Sequence, residues 1–167
     1  LGTYGLLERL LKANPTLMIE GCAGGGGRFD AGMMFYCPQI WCSDDTDAVE
    51  RLQIQKGTSY GYPVSTVGSH VSAVPNHQTF RTTPLHTRGV VAMSGTFGYE
   101  LDISKLSAEE KEEVKEQIKT FQQHYWLIQK GNYYRLTNEK TEHFFTAWEF
   151  ADKEQKEALV NLVVTHV

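Results

Sequence analysis

The sequence has few cysteines, no long apolar run and no excess of positive charge, and each shortage excludes a class of protein. Cys22, Cys37 and Cys42 are odd in number, and their spacing matches no zinc or disulfide framework. This favours a reducing compartment, and we expect a cytoplasmic protein. No apolar stretch approaches the roughly 20 residues that span a bilayer, so we expect no membrane partner. The 16 basic residues are scattered among 20 acidic ones, which argues against a nucleic-acid partner.

The chain is long enough to form one domain with a sizeable core. It has 167 residues, of which 41% are hydrophobic, an ordinary share for a globular protein. It begins at Leu1 without a methionine, a helical stripe of leucines follows almost at once, and it ends within a strand-like apolar run over 159–167. We therefore expect a segment of a longer polypeptide.

Predicted strands and helices alternate over the first 131 residues. Apolar runs, capping residues and helical periodicity predict strands over 17–22, 39–42, 64–67 and 98–103 and helices over 4–13, 47–56, 84–93 and 107–125. The polar stretch 68–79 is predicted to be a loop. After Gly131 the pattern changes to three β-rich runs without an intervening helix, which indicates antiparallel strands.

This order of elements predicts an α/β protein. Four βα units are half of an eight-stranded barrel, so we interpret residues 1–131 as the C-terminal half of a (β/α)8 barrel. Residues 132–167 are interpreted as the first strands of an antiparallel β-domain. A half-barrel would expose two raw edges of a parallel sheet, and this segment should therefore not be an autonomous unit.

Polar residues follow two of the predicted strands at the point where each strand ends. The second strand is followed by Asp44, Asp45 and Asp47, beside Trp41. Ligands of parallel α/β sheets bind at the carboxyl ends of the strands. An apolar side chain such as Trp41 keeps water from a neighbouring carboxyl group, which raises the pKa of that group and favours its proton-donating form. We assign helix capping to Asp47, with Asp45 as a second candidate, and chemistry to Asp44 because it lies nearest the strand end.

Several alternatives stay open at the first strand end. The run Gly24 to Gly27 lacks the Lys and Ser/Thr of a phosphate-binding loop, and its glycines could instead form a pocket floor with Cys22 or a plain turn. Arg28 and Asp30 are expected to form an ion pair.

Cys22 could be a nucleophile with His70 or His77 as its base, but a packing role is commoner for a lone cysteine. A metal site at His70, His77 and His86 lacks a helical ligand spacing.

The motifs Cys-x-Gly-Gly-Gly-Gly-Arg-Phe-Asp and Trp-x-Ser-Asp-x-Thr-Asp resemble, at their spacing, those of the bacterial α-galactosidases of glycoside hydrolase family 36. This resemblance covers essentially the whole chain. It implies a retaining hydrolase of terminal α-galactosides such as melibiose and raffinose, with an N-terminal β-domain, a catalytic barrel and a small C-terminal β-domain. It also implies a homo-oligomer, for which a tetramer is one form that the family allows. No cofactor or metal is implied.

The resemblance assigns roles to four residues. Asp44 matches the general acid/base, Cys22 and Gly24 match positions that line the galactose site, and Trp41 is a wall of the same pocket. The family's nucleophilic aspartate belongs to a Lys-Trp-Asp motif that this chain does not contain, so we expect it upstream and expect the segment alone to be inactive. Ala23 and Ala31 replace the expected Ser and Pro. The competing hypothesis is a noncatalytic carbohydrate-binding or assembly module.

Overall fold

The computed structural model describes residues 2–165, and over that range the chain forms a parallel sheet, an antiparallel sheet and the helices around them. The helices are α1 (Gly2–Ala13), α2 (Ala31–Tyr36), α3 (Ala48–Thr58), α4 (Leu85–Ala92) and α5 (Ala108–Lys130). The strands are β1 (Glu20–Gly21), β2 (Gln39–Trp41), β3 (Val67–Ser72), β4 (Thr96–Glu100), β5 (Asn132–Arg135), β6 (Phe145–Ala151) and β7 (Ala158–Val164). Short 3-10 helices cover Val64–Thr66 and Ile103–Lys105.

The first four strands form a parallel sheet in the order β1-β2-β3-β4, with a helix between each strand and the next. Side chains alternate between the two faces of such a sheet. Ile40 and Val67, which pair in register, are both buried. Ile40 packs with Met33 and Cys37 in the region of α2. The apolar face of the sheet is thus covered by helices.

The opposite face of the parallel sheet is polar. Glu20 accepts a hydrogen bond from Gln39, and the rings of Trp41 and His70 stack with their centroids 4.9 Å apart. Glycines on the neighbouring strands make room for these rings: a Cβ on Gly68 would lie 3.0 Å from the Trp41 ring. His70 Nδ1 lies 3.6 Å from a carboxylate oxygen of Glu100 on β4.

The antiparallel sheet has the strand order β5-β6-β7, which confirms the predicted pairing after Gly131. One face of it packs on helices of the first part, where Trp148, Phe150 and Val163 share a core with residues of α3, α4 and α5. The predicted last run reaches Val167, and its end lies outside the described residues. None of the helices within 2–165 combines the length and apolarity that crossing a membrane requires.

Three predicted strands of the parallel sheet were wrong in their bounds, and one of them, predicted over 98–103, is observed as Thr96–Glu100. The first strand is only Glu20–Gly21, because it lies at the sheet edge, and Met18 in the supposed buried run is 77% exposed. Residues 64–66 form a 3-10 helix, and the strand follows as Val67–Ser72, within the segment predicted to be a loop. The buried Ser69 of this strand is tolerated in the core because it is bonded: Gln55 donates to its hydroxyl at 2.8 Å.

The predicted helices agree with the structure better than the predicted strands do. The Ser107 and Glu110 capping box of α5 is present, and Asp47 caps α3. Helix α2 was not predicted, since its six residues carry little periodicity. Its cap is Asp30, which accepts the Met33 amide at 2.9 Å. Asp30 therefore serves the helix, and the expected ion pair with Arg28 does not form among the described residues.

Candidate active site

The loop after β2 is held by a series of short-range hydrogen bonds from backbone amides to side chains. The Ser43 hydroxyl accepts the amide of Asp45 at 3.1 Å, and Asp45 accepts the amide of Asp47 at 3.0 Å. Asp47 in turn accepts the amides of Val49 and Glu50 at the start of α3. These bonds fix the course of the backbone from the strand end to the helix without using the side chain of Asp44.

Asp47 is the buried centre of contacts between this loop and the loop after β3. It accepts a hydrogen bond of 2.6 Å from the Thr79 hydroxyl and pairs with Arg81. Burial raises the pKa of the Asp47 carboxyl, but the Thr79 hydroxyl, the two amides and the Arg81 guanidinium together outweigh burial and leave this pKa below its ordinary value. Asp47 is therefore a structural anion, occupied on both oxygens.

Asp44 differs from its two neighbours in being exposed. Within residues 2–165 its carboxylate takes part in no side-chain hydrogen bond and no ion pair, whereas Asp45 and Asp47 are both engaged. On a loop held in this way, a carboxyl group whose oxygens have no other partner can give a proton to a ligand, and the resulting carboxylate can take a proton back. The structure thus leaves Asp44 as the carboxylate of this loop that is available for chemistry.

The glycine loop after β1 packs directly on the backbone beside Asp44. A Cβ on Gly25 would lie 2.8 Å from the Asp44 nitrogen, and one on Gly26 would lie 2.5 Å from the Cys42 carbonyl oxygen. The close approach of two backbones requires glycine at these positions. It brings the loop that carries Cys22 and Gly24, both exposed, against the loop that carries Asp44.

Replacing Gly25 with Ala should destabilise the full-length protein more than replacing Gly24 with Ala. Both residues have a positive φ, +70° and +56°, so both variants incur a left-handed backbone cost of about 1 kcal/mol. Only at Gly25 does the new methyl group also meet the Asp44 backbone, whereas at Gly24 it meets nothing within 4 Å. We expect an additional loss of about 1–3 kcal/mol for Gly25→Ala, measured by thermal unfolding. Equal unfolding midpoints for the two variants would contradict this packing.

Trp41 lies half-buried at the end of β2 between two partners. Its ring stacks on His70, and the guanidinium carbon of Arg51 lies 4.1 Å from its centroid. Arg51 also donates to the Cys42 sulfur at 2.9 Å and to the Ser43 carbonyl oxygen at 3.1 Å. Burial raises the pKa of the Cys42 thiol, and the nearby Arg51 offsets only part of that rise. Cys42 is therefore a neutral thiol.

The competing chemistries receive no support from the geometry. Cys22 makes no hydrogen bond to His70 or His77 in the described part of the chain, so no thiol and imidazole pair is formed there. Among the same residues, no three His, Cys, Asp or Glu side chains are grouped as metal ligands would be. His70 and His86 each lie beside a glutamate, Glu100 and Glu113 respectively.

Sequence reasoning missed Arg51, which is buried at 4% exposure and contacts three consecutive residues of the site. The residue spacing along α3 contains a signal that indicates a buried Arg51. Ala48, Arg51, Leu52 and Gln55 have the i, i+3, i+4, i+7 spacing of a core-facing helix stripe, and all four are buried. A charged residue on such a stripe indicates a specific polar partner in the core.

The chain resembles a known protein family and several α-galactosidases. The melibiase family model matches residues 1–131. The chain is 58% identical over 163 residues to the bifunctional α-galactosidase/sucrose kinase AgaSK of Mediterraneibacter gnavus, covering 98% of this chain and 17% of that protein. It is 53% identical to α-galactosidase 1 of Pediococcus pentosaceus, covering 96% of this chain and 22% of the relative. The chain thus spans about a fifth of the length of these relatives.

Solved structures resemble the chain over nearly all of its length. The galactosidase domain of AgaSK superposes with a TM-score of 0.96 at 56% identity, over 99% of this chain and 23% of that one. A variant of the family 36 α-galactosidase AgaA from Geobacillus stearothermophilus, in complex with raffinose, gives 0.91 at 50% identity, over 95% of this chain and 22% of that one. The match to the family model and these identities show that the chain belongs to the melibiase family.

Proposed function

We propose that this chain is part of a retaining α-galactosidase that hydrolyses terminal α-D-galactosyl residues of oligosaccharides such as melibiose and raffinose. The observation that carries the proposal is that the three aspartates of one hydrogen-bonded loop differ in their contacts. Asp45 and Asp47 are used for structure, and Asp44 is exposed with free oxygens at the carboxyl end of a parallel sheet. Membership of the melibiase family, and relatives that are α-galactosidases, agree with this proposal.

In the proposed mechanism Asp44 is the general acid and base. Retaining glycosidases use two carboxyl groups roughly 5 to 5.5 Å apart, one of which attacks the anomeric carbon while the other protonates the departing oxygen and then activates water. Asp44 takes the second role. The nucleophilic aspartate lies outside this chain, on an earlier strand. Trp41, Cys22 and Gly24 bind the galactosyl group beside the acid, without a metal or cofactor.

We further propose that residues 1–131 form half of an eight-stranded barrel and that residues 132–167 begin a C-terminal antiparallel β-domain. Four parallel strands with intervening helices support the first part. The polar face of this sheet supports it too, because within the described residues Trp41, His70 and Glu20 belong to none of the apolar clusters. Such a face fits the interior of a barrel that another part of the polypeptide completes.

The main partner of this segment is therefore the rest of its own polypeptide, namely the first half of the barrel and an N-terminal β-domain. The substrate is an α-galactoside, since AgaA structures hold raffinose and, in another variant, stachyose. We retain a homo-oligomer, with a tetramer among the allowed forms, and a cytoplasmic location as proposals. The proposal of a cytoplasmic location rests on the three cysteines, which are all free in the described residues.

The proposal is tested by the stereochemistry of hydrolysis in the full-length protein. Nuclear magnetic resonance of a melibiose digest should detect α-galactose first, before it equilibrates with the β form, because two displacements retain the configuration. The segment 1–167 expressed alone should release no galactose, since it lacks a nucleophile. The appearance of β-galactose first would contradict the retaining mechanism. Sugar binding by the full-length protein without any hydrolysis would favour a noncatalytic module instead.

A further inference from the structure

Arg51 is a buried charged side chain near the candidate site, and the proposed mechanism does not use it. It projects from α3 and is 4% exposed. One of its terminal nitrogens donates to the Cys42 sulfur and, at 3.5 Å, to the carbonyl oxygen of Gly68 on β3. The other terminal nitrogen donates to the Ser43 carbonyl oxygen at 3.1 Å. One guanidinium therefore joins α3, β3 and the loop after β2.

Nothing in the described residues forms a salt bridge with Arg51. Its partners are two carbonyl oxygens, a neutral thiol and the face of an indole ring. Burial lowers the pKa of the guanidinium, and the charges of Asp45 and Glu100, which form no salt bridge with it, offset only part of that fall. Burying a cation without a carboxylate is costly, and a smaller apolar residue would fill a core position at less cost. A role in holding the geometry of its partners accounts for the presence of Arg51.

The partners of Arg51 are consecutive in the sequence and end next to the proposed acid. The guanidinium lies against the ring of Trp41, bonds the side chain of Cys42 and bonds the carbonyl group of Ser43. The next residue is Asp44, whose own side chain has no bond in the described chain to hold it. The direction in which Asp44 leaves the backbone thus depends on a peptide that Arg51 holds together with the bond from the Asp45 amide to the Ser43 hydroxyl.

On these contacts we infer that Arg51 is a positioning residue, which fixes the Ser43 and Asp44 peptide so that the acid is aimed at the departing oxygen. This inference rests on the proposed function. A lysine cannot reproduce the arrangement, because an ammonium group lacks the planar fork that reaches two acceptors while lying on a ring. A displacement of about 1 Å in a catalytic group can cost about 100-fold in rate.

Arg88 offers a matched control in the same fold. It is a second buried arginine, 6% exposed, on the next helix, and burial lowers its pKa as well. It donates to the carbonyl oxygens of Thr83 and Ser72 at 2.9 and 2.7 Å. It therefore ties a helix to β3 as Arg51 does, but at the end of that strand, and in the described residues it makes no hydrogen bond to the loop that carries Asp44.

The test compares two galactosides in the full-length enzyme. Melibiose has a poor leaving group that needs an acid, whereas para-nitrophenyl α-galactoside has a good one that needs little. The measured quantity is the ratio of kcat/KM for the aryl substrate to kcat/KM for melibiose, which cancels losses in galactose binding and in folded enzyme. We expect Arg51→Lys to raise this ratio about tenfold or more. Arg88→Lys should leave the ratio within about twofold of the parent value.

Asp44→Asn should raise the ratio most. It distinguishes a failure of the inference about Arg51 from a failure of the proposed acid Asp44. If it raises the ratio and Arg51→Lys does not, Arg51 has only a structural role and the inference is wrong. If Asp44→Asn itself leaves the ratio unchanged, the proposed acid is wrong. Cys42→Ala covers the case in which Arg51→Lys does not fold, because it removes one partner of Arg51 and keeps the guanidinium. It should raise the ratio by a smaller factor, and an unchanged ratio would count against the inference.

Discussion

In the full-length enzyme, replacing Asp44 with Asn is expected to lower kcat/KM for melibiose by about 10²- to 10⁴-fold. An amide cannot protonate the departing glucose oxygen, and the sugar alkoxide is a poor leaving group without that proton. The value for para-nitrophenyl α-galactoside should fall far less, because the phenolate departs unaided. Steady-state kinetics on both substrates, with the variant's folding checked by circular dichroism, measures the difference.

Asp45→Asn is the matched control for this prediction. It removes a carboxylate one residue away, but an asparagine oxygen can still accept the amide of Asp47 as Asp45 does at 3.0 Å. We therefore expect kinetics within a few-fold of the parent on both substrates. A large and selective loss on melibiose in Asp45→Asn, with little loss in Asp44→Asn, would reverse the assignment of roles within the loop.

The second large effect is expected on stability, from Asp47→Ala. The substitution removes the cap of α3 and the acceptor for Thr79, and among the described residues it leaves Arg81 with Glu50 as its acidic partner. Loss of a cap and of charge-assisted hydrogen bonds should cost about 2–4 kcal/mol in the free energy of unfolding. Asp47→Asn keeps an oxygen for the two amides, so it should lose less. Thermal or urea unfolding of the full-length protein measures both.

The cost of Asp47→Ala should depend on pH in a defined direction. Because the folded-state pKa of Asp47 is lowered, its charged form stabilises the fold at every pH above its unfolded value of about 4. That contribution is lost as the pH falls through the folded-state pKa. The stability difference between the parent and Asp47→Ala should therefore shrink below about pH 4. A difference that grows on acidification would mean that Asp47 is protonated in the native protein.

Much of the candidate site was readable from sequence because its residues are close together in the chain. Asp44, Asp45 and Asp47 follow one strand, and the preference of helix starts for carboxylates correctly assigned Asp47 to capping. The exposed position of Asp44 agrees with its predicted role, which itself stays a prediction. Contacts between distant segments were not readable. The packing of Gly25 on Asp44 and the bonds of Thr79 to Asp47 depend on how two loops meet.

Two of the errors in the parallel sheet have different physical origins, which are the polar composition of β3 and the edge position of β1. Strand β3 contains Gly68, Ser69 and His70, and its composition predicted a loop. Small and polar residues are favoured in this strand because the Trp41 ring lies over Gly68 and stacks on His70 on one face, while Gln55 bonds Ser69 on the other. Apolar residues in 17–19 predicted a buried strand, but that segment precedes a two-residue strand at the sheet edge.

The position of Asp44 relative to the bond that is cleaved is tested most directly by a crystal structure of the full-length Asp44→Asn protein with raffinose bound. We predict that the residue 44 amide lies within hydrogen-bonding distance, about 2.6–3.2 Å, of the oxygen that links galactose to the rest of the sugar. The galactosyl ring should lie beside Trp41 and the glycine loop. A side chain at position 44 that faces bulk solvent, with another carboxyl group at the linking oxygen, would contradict the account.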